Sequence, residues 1–200
     1  SARNIEMVKC FIECDIDVNI QDSTGLTGLH YACSWWNAEI VELLIKNGAD
    51  VNITDKYNRT CLHHACLGEN LLIFKYLIDS GVDINHQDIY GRTVLHQLCL
   101  SGTIDMIKYI VKSGANLNIV DNCGHSALYI VCRQNKKIET SYLEECGGTF
   151  GKEIEKIYNL FHQSPAEINK RIQDYIENES CIYFPFVDVP LFNNILTCHA

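Results

Sequence analysis

The sequence lacks the signatures of several large classes of protein. It contains no G-x-S-x-G, Walker or H-E-x-x-H motif, so it predicts no common hydrolase, nucleotide or metalloprotease site. No apolar stretch approaches the ~18 residues of a membrane-spanning helix, and no N-terminal signal peptide is recognisable. We therefore expect a chain that catalyses no reaction, needs no cofactor and does not insert into a membrane.

Positive charge is also scarce. The chain has 16 lysines and arginines against 25 acidic residues, which gives a formal net charge of −9. Nucleic-acid-binding domains usually carry a basic patch or stripe, so we expect no nucleic-acid partner. The acidic balance permits a basic partner, although mild acidity is also common among soluble proteins.

What the sequence does contain is a repeat with a period of 33 residues. Aspartates open its four copies, and leucine, cysteine and glycine recur in step with them. The aspartates are Asp22, Asp55, Asp88 and Asp121. Self-similarity at a fixed period of this length is typical of stacked repeat proteins, in which each unit buries its apolar face against its neighbours.

The motifs within the copies resemble the ankyrin repeat. D-x-x-G-x-T-x-L-H-x-A is followed by E-I-V-x-L-L-I-x-x-G-A-D-V-N in the first full copy. The resemblance implies an all-α ankyrin-repeat solenoid of helix–turn–helix repeats with β-hairpin-like loops. It also implies a protein–protein interaction scaffold that binds another protein or peptide through its concave surface.

Domain limits follow from the copies and from what comes after them. We expect an ankyrin repeat domain over 1–151, a C-terminal helical cap of two amphipathic helices over 152–179, and an apolar, proline-containing tail over 180–200 of unknown role. Within the repeat domain we expect a half repeat at 3–21, full repeats at 22–54, 55–87 and 88–120, and an atypical last repeat at 121–151. The start in mid-repeat suggests a fragment of a longer chain.

The eleven cysteines invite a disulfide or zinc interpretation, which the repeat argues against. Cysteines at one repeat position lie on neighbouring helices, which pack roughly 8–10 Å apart, whereas a disulfide needs Cα atoms about 4.4–6.8 Å apart. These cysteines are Cys33, Cys66, Cys99 and Cys132. The His-x-x-Cys pairs are spread along the same ladder, so we predict no metal site and small buried thiols. Unpaired thiols indicate a reducing compartment, so we expect a cytoplasmic or nuclear location.

Threonine and histidine recur at the start of each first helix. Thr27, Thr60, Thr93 and Ser126 are suited to the N-cap position. His30, His63 and His96 follow three residues after the threonines. No nucleophile or carboxylate recurs beside these histidines, so we predict that they bond between turns and repeats rather than act as acids or bases.

Partner-binding residues are predicted by placing the resemblance on this sequence. Ankyrin proteins bind through the hairpin tips and the exposed face of the first helices, and Tyr, Trp and Arg dominate interface hot spots. The predicted contacts are Leu26, Trp35, Tyr57, Arg59, Leu67, Tyr90, Arg92, Leu100 and His125. The two Tyr/Arg pairs recur one repeat apart, which suggests a partner with spaced acidic residues. Trp36 stands where the family usually has glycine.

Two further matters stay open at the level of sequence. Asn52 and Asn85 match asparagines that are hydroxylated in other ankyrin domains, although an asparagine here also suits bonding of the hairpin backbone. Two alternative functions remain. The chain could be the targeting segment of a larger enzyme, such as a ubiquitin ligase or acyltransferase, or of an ion channel. It could instead be a viral or pathogen ankyrin protein that captures host signalling factors.

Overall fold

The computed structural model describes residues 2–14, 16–66, 68 and 70–150. The predicted helices at 152–179, the tail at 180–200 and Leu67 lie outside the described residues. The chain divides into two compact units, Ser1–Ala115 and Asn116–Ala200, which we call unit 1 and unit 2. The domain limits expected from the sequence stay predictions.

Unit 1 is built from helices in pairs. Their bounds are α1 Ala2–Glu13, α2 Gly28–Ser34, α3 Ala38–Lys46, α4 Cys61–Ala65, α5 Leu71–Asp79, α6 Val94–Ser101 and α7 Ile104–Lys112. Helix α2 packs against α3 of its own repeat and α4 of the next, and α4 packs against α5 and α6. Helix α1 packs against α3.

Unit 2 contains one further pair among its described residues, α8 Ala127–Arg133 packed against α9 Lys137–Glu145. Between helices the described backbone forms turns and two isolated antiparallel bridges, Thr54 with Thr60 and Val120 with Ser126. The predicted fold class, an all-α repeat solenoid of helix–turn–helix units with hairpin-like loops, is confirmed. Within the described part of the chain, no helix is both long and apolar enough to cross a membrane.

The predicted threonine N-caps are confirmed, and each of the three histidines bonds to the threonine that precedes its helix. Thr27, Thr60 and Thr93 have extended backbones immediately before α2, α4 and α6. The Thr27 N–H donates to Nδ1 of His30 at 3.1 Å, and the other two threonines repeat this bond at 3.3 and 3.1 Å. Each histidine thus satisfies a backbone donor that a helix start would otherwise leave unpaired.

Glycine follows the second helix of each full repeat, as the sequence predicts. Gly48 follows α3 with φ +87°, and Gly81 follows α5 with φ +83°, both in the left-handed region that glycine enters without a steric cost. The chain therefore reverses at the same point of each repeat, which places successive loops in the same register.

An asparagine ladder joins neighbouring repeats of unit 1. The Asp83 N–H donates to Oδ1 of Asn52 at 2.9 Å, and Nδ2 of Asn52 donates to the Gly81 carbonyl at 3.3 Å. Asn19 makes the same two bonds one repeat earlier, to Asp50 and Gly48. One side chain therefore fixes the spacing between a loop and the helix end of the next repeat.

Apolar side chains at equivalent positions form the core. Leu29, Leu62 and Leu95 are at most 1% exposed, and so are Phe74 and Ile107 on the second helices. The cysteine ladder predicted to be buried is buried, at 0–5% exposure for Cys33, Cys66, Cys99 and Cys132. In unit 2 the core is formed by Leu128, Val131 and Leu143.

Candidate functional site

Each loop of unit 1 is organised by the aspartate that opens its repeat. Oδ1 of Asp55 accepts the backbone N–H groups of Tyr57 and Arg59 at 2.9 and 3.0 Å, which folds the tip over the carboxylate. Asp88 accepts from Tyr90 and Arg92 in the same way, both at 2.9 Å. One oxygen of each aspartate is therefore used by the backbone, and the other is left for a side chain.

Arginine takes the second oxygen in the two central loops. Nε and Nη2 of Arg59 donate to Oδ2 of Asp55 at 2.9 and 2.7 Å. Arg92 donates to Oδ2 of Asp88 at 3.1 and 2.9 Å. Burial alone would raise the pKa of Asp55, but the bonds from Arg59 and His64 lower it to about 2. The two arginines are thus held by their own loops.

The same arginines lie against the tyrosines of the tips. The guanidinium carbon of Arg59 is 5.0 Å from the ring centroid of Tyr57, and that of Arg92 is 4.8 Å from Tyr90. Lys56 adds its ammonium at 4.9 Å from the Tyr57 ring. Cation–π contact at this range restricts both partners, so each tyrosine is presented in a defined orientation.

The first loop uses tyrosine in place of arginine. The Tyr31 hydroxyl donates to Oδ2 of Asp22 at 2.6 Å. This bond, with the Thr24 hydroxyl, lowers the pKa of Asp22 well below its usual range, and it raises the pKa of Tyr31. The Tyr31 ring lies 5.5 Å from the Trp35 ring, which extends the aromatic surface to the end of α2.

These residues form a continuous surface, which we call the loop–helix face of unit 1. It consists of Tyr31, Trp35, Lys56, Tyr57, Arg59, Ile89, Tyr90, Arg92 and Leu100. Backbone bonds join its tips, since the Lys56 N–H donates to the Thr24 carbonyl and the Ile89 N–H donates to the Tyr57 carbonyl, both at 3.0 Å. Large apolar side chains are exposed along it, with Trp35 at 69%, Tyr90 at 54% and Leu100 at 42%.

A part-buried polar network beneath this face was not predicted from the sequence. Nε2 of His64 is 3.0 Å from Oδ2 of Asp55, and its Nδ1 is 3.2 Å from the Ser34 hydroxyl in the preceding repeat. Burial lowers the pKa of His64. His64 and Tyr31 both stand nine residues after a loop aspartate, and this shared offset is the signal that could have identified them.

Six of the nine predicted contacts lie on the loop–helix face of unit 1. Leu26 is half-buried, and its N–H donates to Oδ1 of Asp22 at 3.0 Å, so its role is mainly to shape the loop. Leu67 is outside the described residues. His125 belongs to unit 2 and is only 8% exposed, with its ring stacked on Tyr129 at a centroid distance of 4.3 Å. Its role as a partner contact stays a prediction.

Trp36 occupies a strained turn between α2 and α3. Its φ of +56° lies in the left-handed region, where the family usually has glycine and where unit 2 has Asn135 with the same φ. Its ring lies directly over Gly68, where a Cβ would overlap the indole. Trp36 is 52% exposed and holds together the turns of two repeats.

Asn52 and Asn85, the candidates for hydroxylation, both lie at repeat junctions. Asn52 is exposed, and Asn85 is half-buried with its Nδ2 donating to the Gly114 carbonyl at 3.4 Å. The bonding of the hairpin backbone expected for these residues is present. Their hydroxylation stays a prediction.

A family model described as ankyrin repeats (3 copies) matches residues 1–88 and 70–144. No curated protein matches the chain.

Proposed function

Because this chain belongs to the ankyrin repeat family, whose repeats are protein–protein interaction modules on a non-catalytic binding fold, we propose that it is a recognition scaffold without catalysis of its own. Its partner is a protein or peptide that binds the loop–helix face of unit 1. The observation that carries this proposal is the row of exposed aromatic side chains on that face, each oriented by a neighbour.

The composition of the face fits a binding surface. Trp35 stands against Tyr31, and Tyr57 and Tyr90 stand against guanidinium groups, so these rings lose little conformational entropy on binding. Tyr, Trp and Arg are the types that contribute most to interface hot spots. Exposed apolar side chains continue along the face through Ile89 and Leu100.

The charges on the face favour a partner with acidic residues. Aspartates open the four repeats that the structure describes, and in the two central loops each is neutralised by an arginine at 2.7–2.9 Å. Lys56 then adds a positive charge at the tip, and its side chain is exposed. A carboxylate of the partner could approach Lys56 and the outer edges of the guanidinium groups without facing an unpaired aspartate.

The test is comparative capture from the native cell with two triple variants. Trp35→Ala/Tyr57→Ala/Tyr90→Ala removes three aromatic side chains of the face. Met7→Ala/Leu72→Ala/Ile138→Ala is the matched control, since it removes three side chains of similar exposure, 46–69%, from helices α1, α5 and α9. Far-ultraviolet circular dichroism checks that both variants keep the helical content of the unaltered chain.

The proposal expects the same protein to be captured by the unaltered chain and by the control, and to be lost with the aromatic triple variant. If each of the three rings contributes about 2 kcal/mol of binding free energy, the triple variant should bind its partner more than ~100-fold more weakly. Equal capture by both variants would show that the loop–helix face is not the binding site.

A further inference from the structure

The fourth loop, which opens unit 2, brings together three different metal-ligating side chains. A carboxylate oxygen of Asp121, the Sγ of Cys123 and a ring nitrogen of His125 all lie within 4.8 Å of one another. The ladder spacing that argues against a zinc site for His30 and Cys33 does not apply here, because all three residues belong to one five-residue loop.

The loop backbone holds the carboxylate in a defined position. Oδ1 of Asp121 accepts the N–H groups of Cys123 and His125, both at 2.9 Å. Oδ2 is turned toward the imidazole, with His125 Nδ1 at 3.3 Å. These two backbone bonds fix the orientation of the carboxylate, as hydrogen bonds to a metal ligand do, and they leave Oδ2 to face a cation.

In the two central loops, a cationic side chain occupies the equivalent position. In the loops of Asp55 and Asp88, the equivalent Oδ2 receives the guanidinium of Arg59 or Arg92. The fourth loop replaces that arginine by His125, and it replaces the tyrosine two residues earlier by Cys123. The permanent positive charge is thus lost while a thiol and an imidazole, two ligands of zinc, are gained.

We propose that Asp121, Cys123 and His125 bind one Zn²⁺ ion, which takes the place that arginine occupies in the central loops. A tetrahedral zinc with bonds of about 2.0–2.3 Å separates its ligands by roughly 3.3–3.8 Å, so the three side chains need to close by about 1 Å. Water occupies the fourth position. A thiolate with an imidazole selects zinc over magnesium or calcium, which prefer oxygen ligands.

The surroundings support this arrangement. The His125 ring stacks on Tyr129 with an interplanar angle of 5°, which fixes its orientation without using a ring nitrogen. His125 is almost buried, whereas Asp121 and Cys123 are half-buried, so an ion can enter from the side of the thiol. Binding would release the thiol proton to solvent, because the ligand is the thiolate.

The test is titration of the full, metal-stripped and reduced chain with Zn²⁺ by calorimetry and with Co²⁺ by absorption. His125→Arg is the key variant: it restores the residue of the two central loops, so its fold is expected to persist while the imidazole ligand is lost. Cys123→Ser removes the thiol. The matched controls are Cys146→Ser, an exposed cysteine of the same unit, and Cys10→Ser/Cys14→Ser, the exposed pair of unit 1.

The unaltered chain and both controls should bind one equivalent of Zn²⁺ and show a thiolate-to-cobalt charge-transfer band. His125→Arg and Cys123→Ser should lose that band and bind Zn²⁺ at least about 10-fold more weakly. Zn²⁺ should also raise the unfolding temperature of the unaltered chain but not that of His125→Arg. Zinc binding that is absent from the unaltered chain, that is equal in His125→Arg, or that is lost in either control would overturn the proposal.

Discussion

The second carboxylate oxygen of the loop aspartates has a different partner in successive loops. Oδ1 always folds the tip backbone, whereas Oδ2 is free to vary without altering the loop. Its partners are Tyr31, then Arg59 with His64, then Arg92, and finally His125. Because Oδ1 holds the tip backbone in every loop and only the side chain at Oδ2 changes, each loop can present different side chains while the repeats keep their geometry.

Lys56 offers the cleanest test of charge at the binding face. Reversal of Arg59 or Arg92 would place two carboxylates together and damage the loop, whereas the Lys56 side chain is exposed and lies over the Tyr57 ring. We expect Lys56→Glu to weaken binding of an acidic partner by roughly 3- to 10-fold and to reduce the salt dependence of its association. Lys75→Glu, an exposed lysine on α5, should leave binding unchanged. A titration against the captured partner at two salt concentrations decides this, and equal affinities for the two variants would contradict it.

Asn52 is expected to contribute to stability through two bonds across a repeat junction. Asn52→Ala removes the acceptor of the Asp83 N–H and the donor to the Gly81 carbonyl, so the free energy of unfolding should fall by about 1–2 kcal/mol. Urea unfolding followed by circular dichroism measures this. Ser23→Ala, at an exposed loop tip, should change stability by no more than about 0.5 kcal/mol. A similar small effect for both would mean that water replaces the asparagine bonds.

At the scale of helices and turns, the α2–α3 turn is the departure from a regular repeat. Trp36 takes a left-handed backbone, which costs a residue with a side chain on the order of 1–3 kcal/mol. Its ring covers Gly68 in the next repeat, and this contact offsets part of that cost. The backbone of the turn is therefore strained at Trp36, and the same residue links neighbouring repeats.

This packing predicts strong coupling between Trp36 and Gly68. Gly68→Ala would place a Cβ inside the indole ring, so it should destabilise the unaltered chain by about 1–3 kcal/mol. In a Trp36→Asn background the ring is gone, and asparagine already occupies the equivalent turn of unit 2, so the same change should cost at least about 0.5 kcal/mol less. Gly28→Ala is the control, since its Cβ would meet only Leu44 at an ordinary 3.8 Å. Additive effects of the two changes would rule out the contact.

The elements were predictable from sequence because they depend on local chemistry that recurs every 33 residues. Threonine N-caps, glycine helix ends and buried leucines each follow from one residue type at one position. The ion pair between Arg59 and Asp55 and the burial of His125 were not predictable. Both depend on which side chain contacts Oδ2 of the loop aspartate once the loop has folded. A match to the family pattern shows where the tips lie, but it does not show which tip side chains remain available to a partner.

At the scale of the whole molecule, buried histidines make stability depend on pH. Burial lowers the pKa of His30 and His63 to about 4, from the ordinary value of 6.5. The unfolded chain therefore takes up these two protons at a higher pH than the folded chain does. It follows that the free energy of unfolding decreases as the pH falls from about 6.5 to about 4.

The carboxylate of Asp55 extends the loss of stability to lower pH. Asp55 keeps its charge in the folded chain down to a pKa of about 2, below its ordinary value of 3.8, because the bonds from Arg59 and His64 outweigh the effect of burial. The unfolded chain protonates this group first, so its contribution is present above about pH 4 and is lost as the pH falls toward 2. The histidines act in the upper part of the acid range and Asp55 in the lower part, which separates the two effects experimentally.

Urea unfolding between pH 7.5 and pH 5 isolates the contribution of the histidines. The lowered pKa of His30 and that of His63 should each reduce the free energy of unfolding by roughly 1–2 kcal/mol as the pH falls from 7.5 to 5. His63→Asn is the matched variant, since its amide oxygen can still accept the Thr60 N–H that Nδ1 of His63 accepts at 3.3 Å, but it does not titrate. The variant should lose less stability between the two pH values than the unaltered chain, even if it is less stable at both. An identical loss in the two proteins would show that the stack tolerates a charged His63, and that its acid sensitivity has another source.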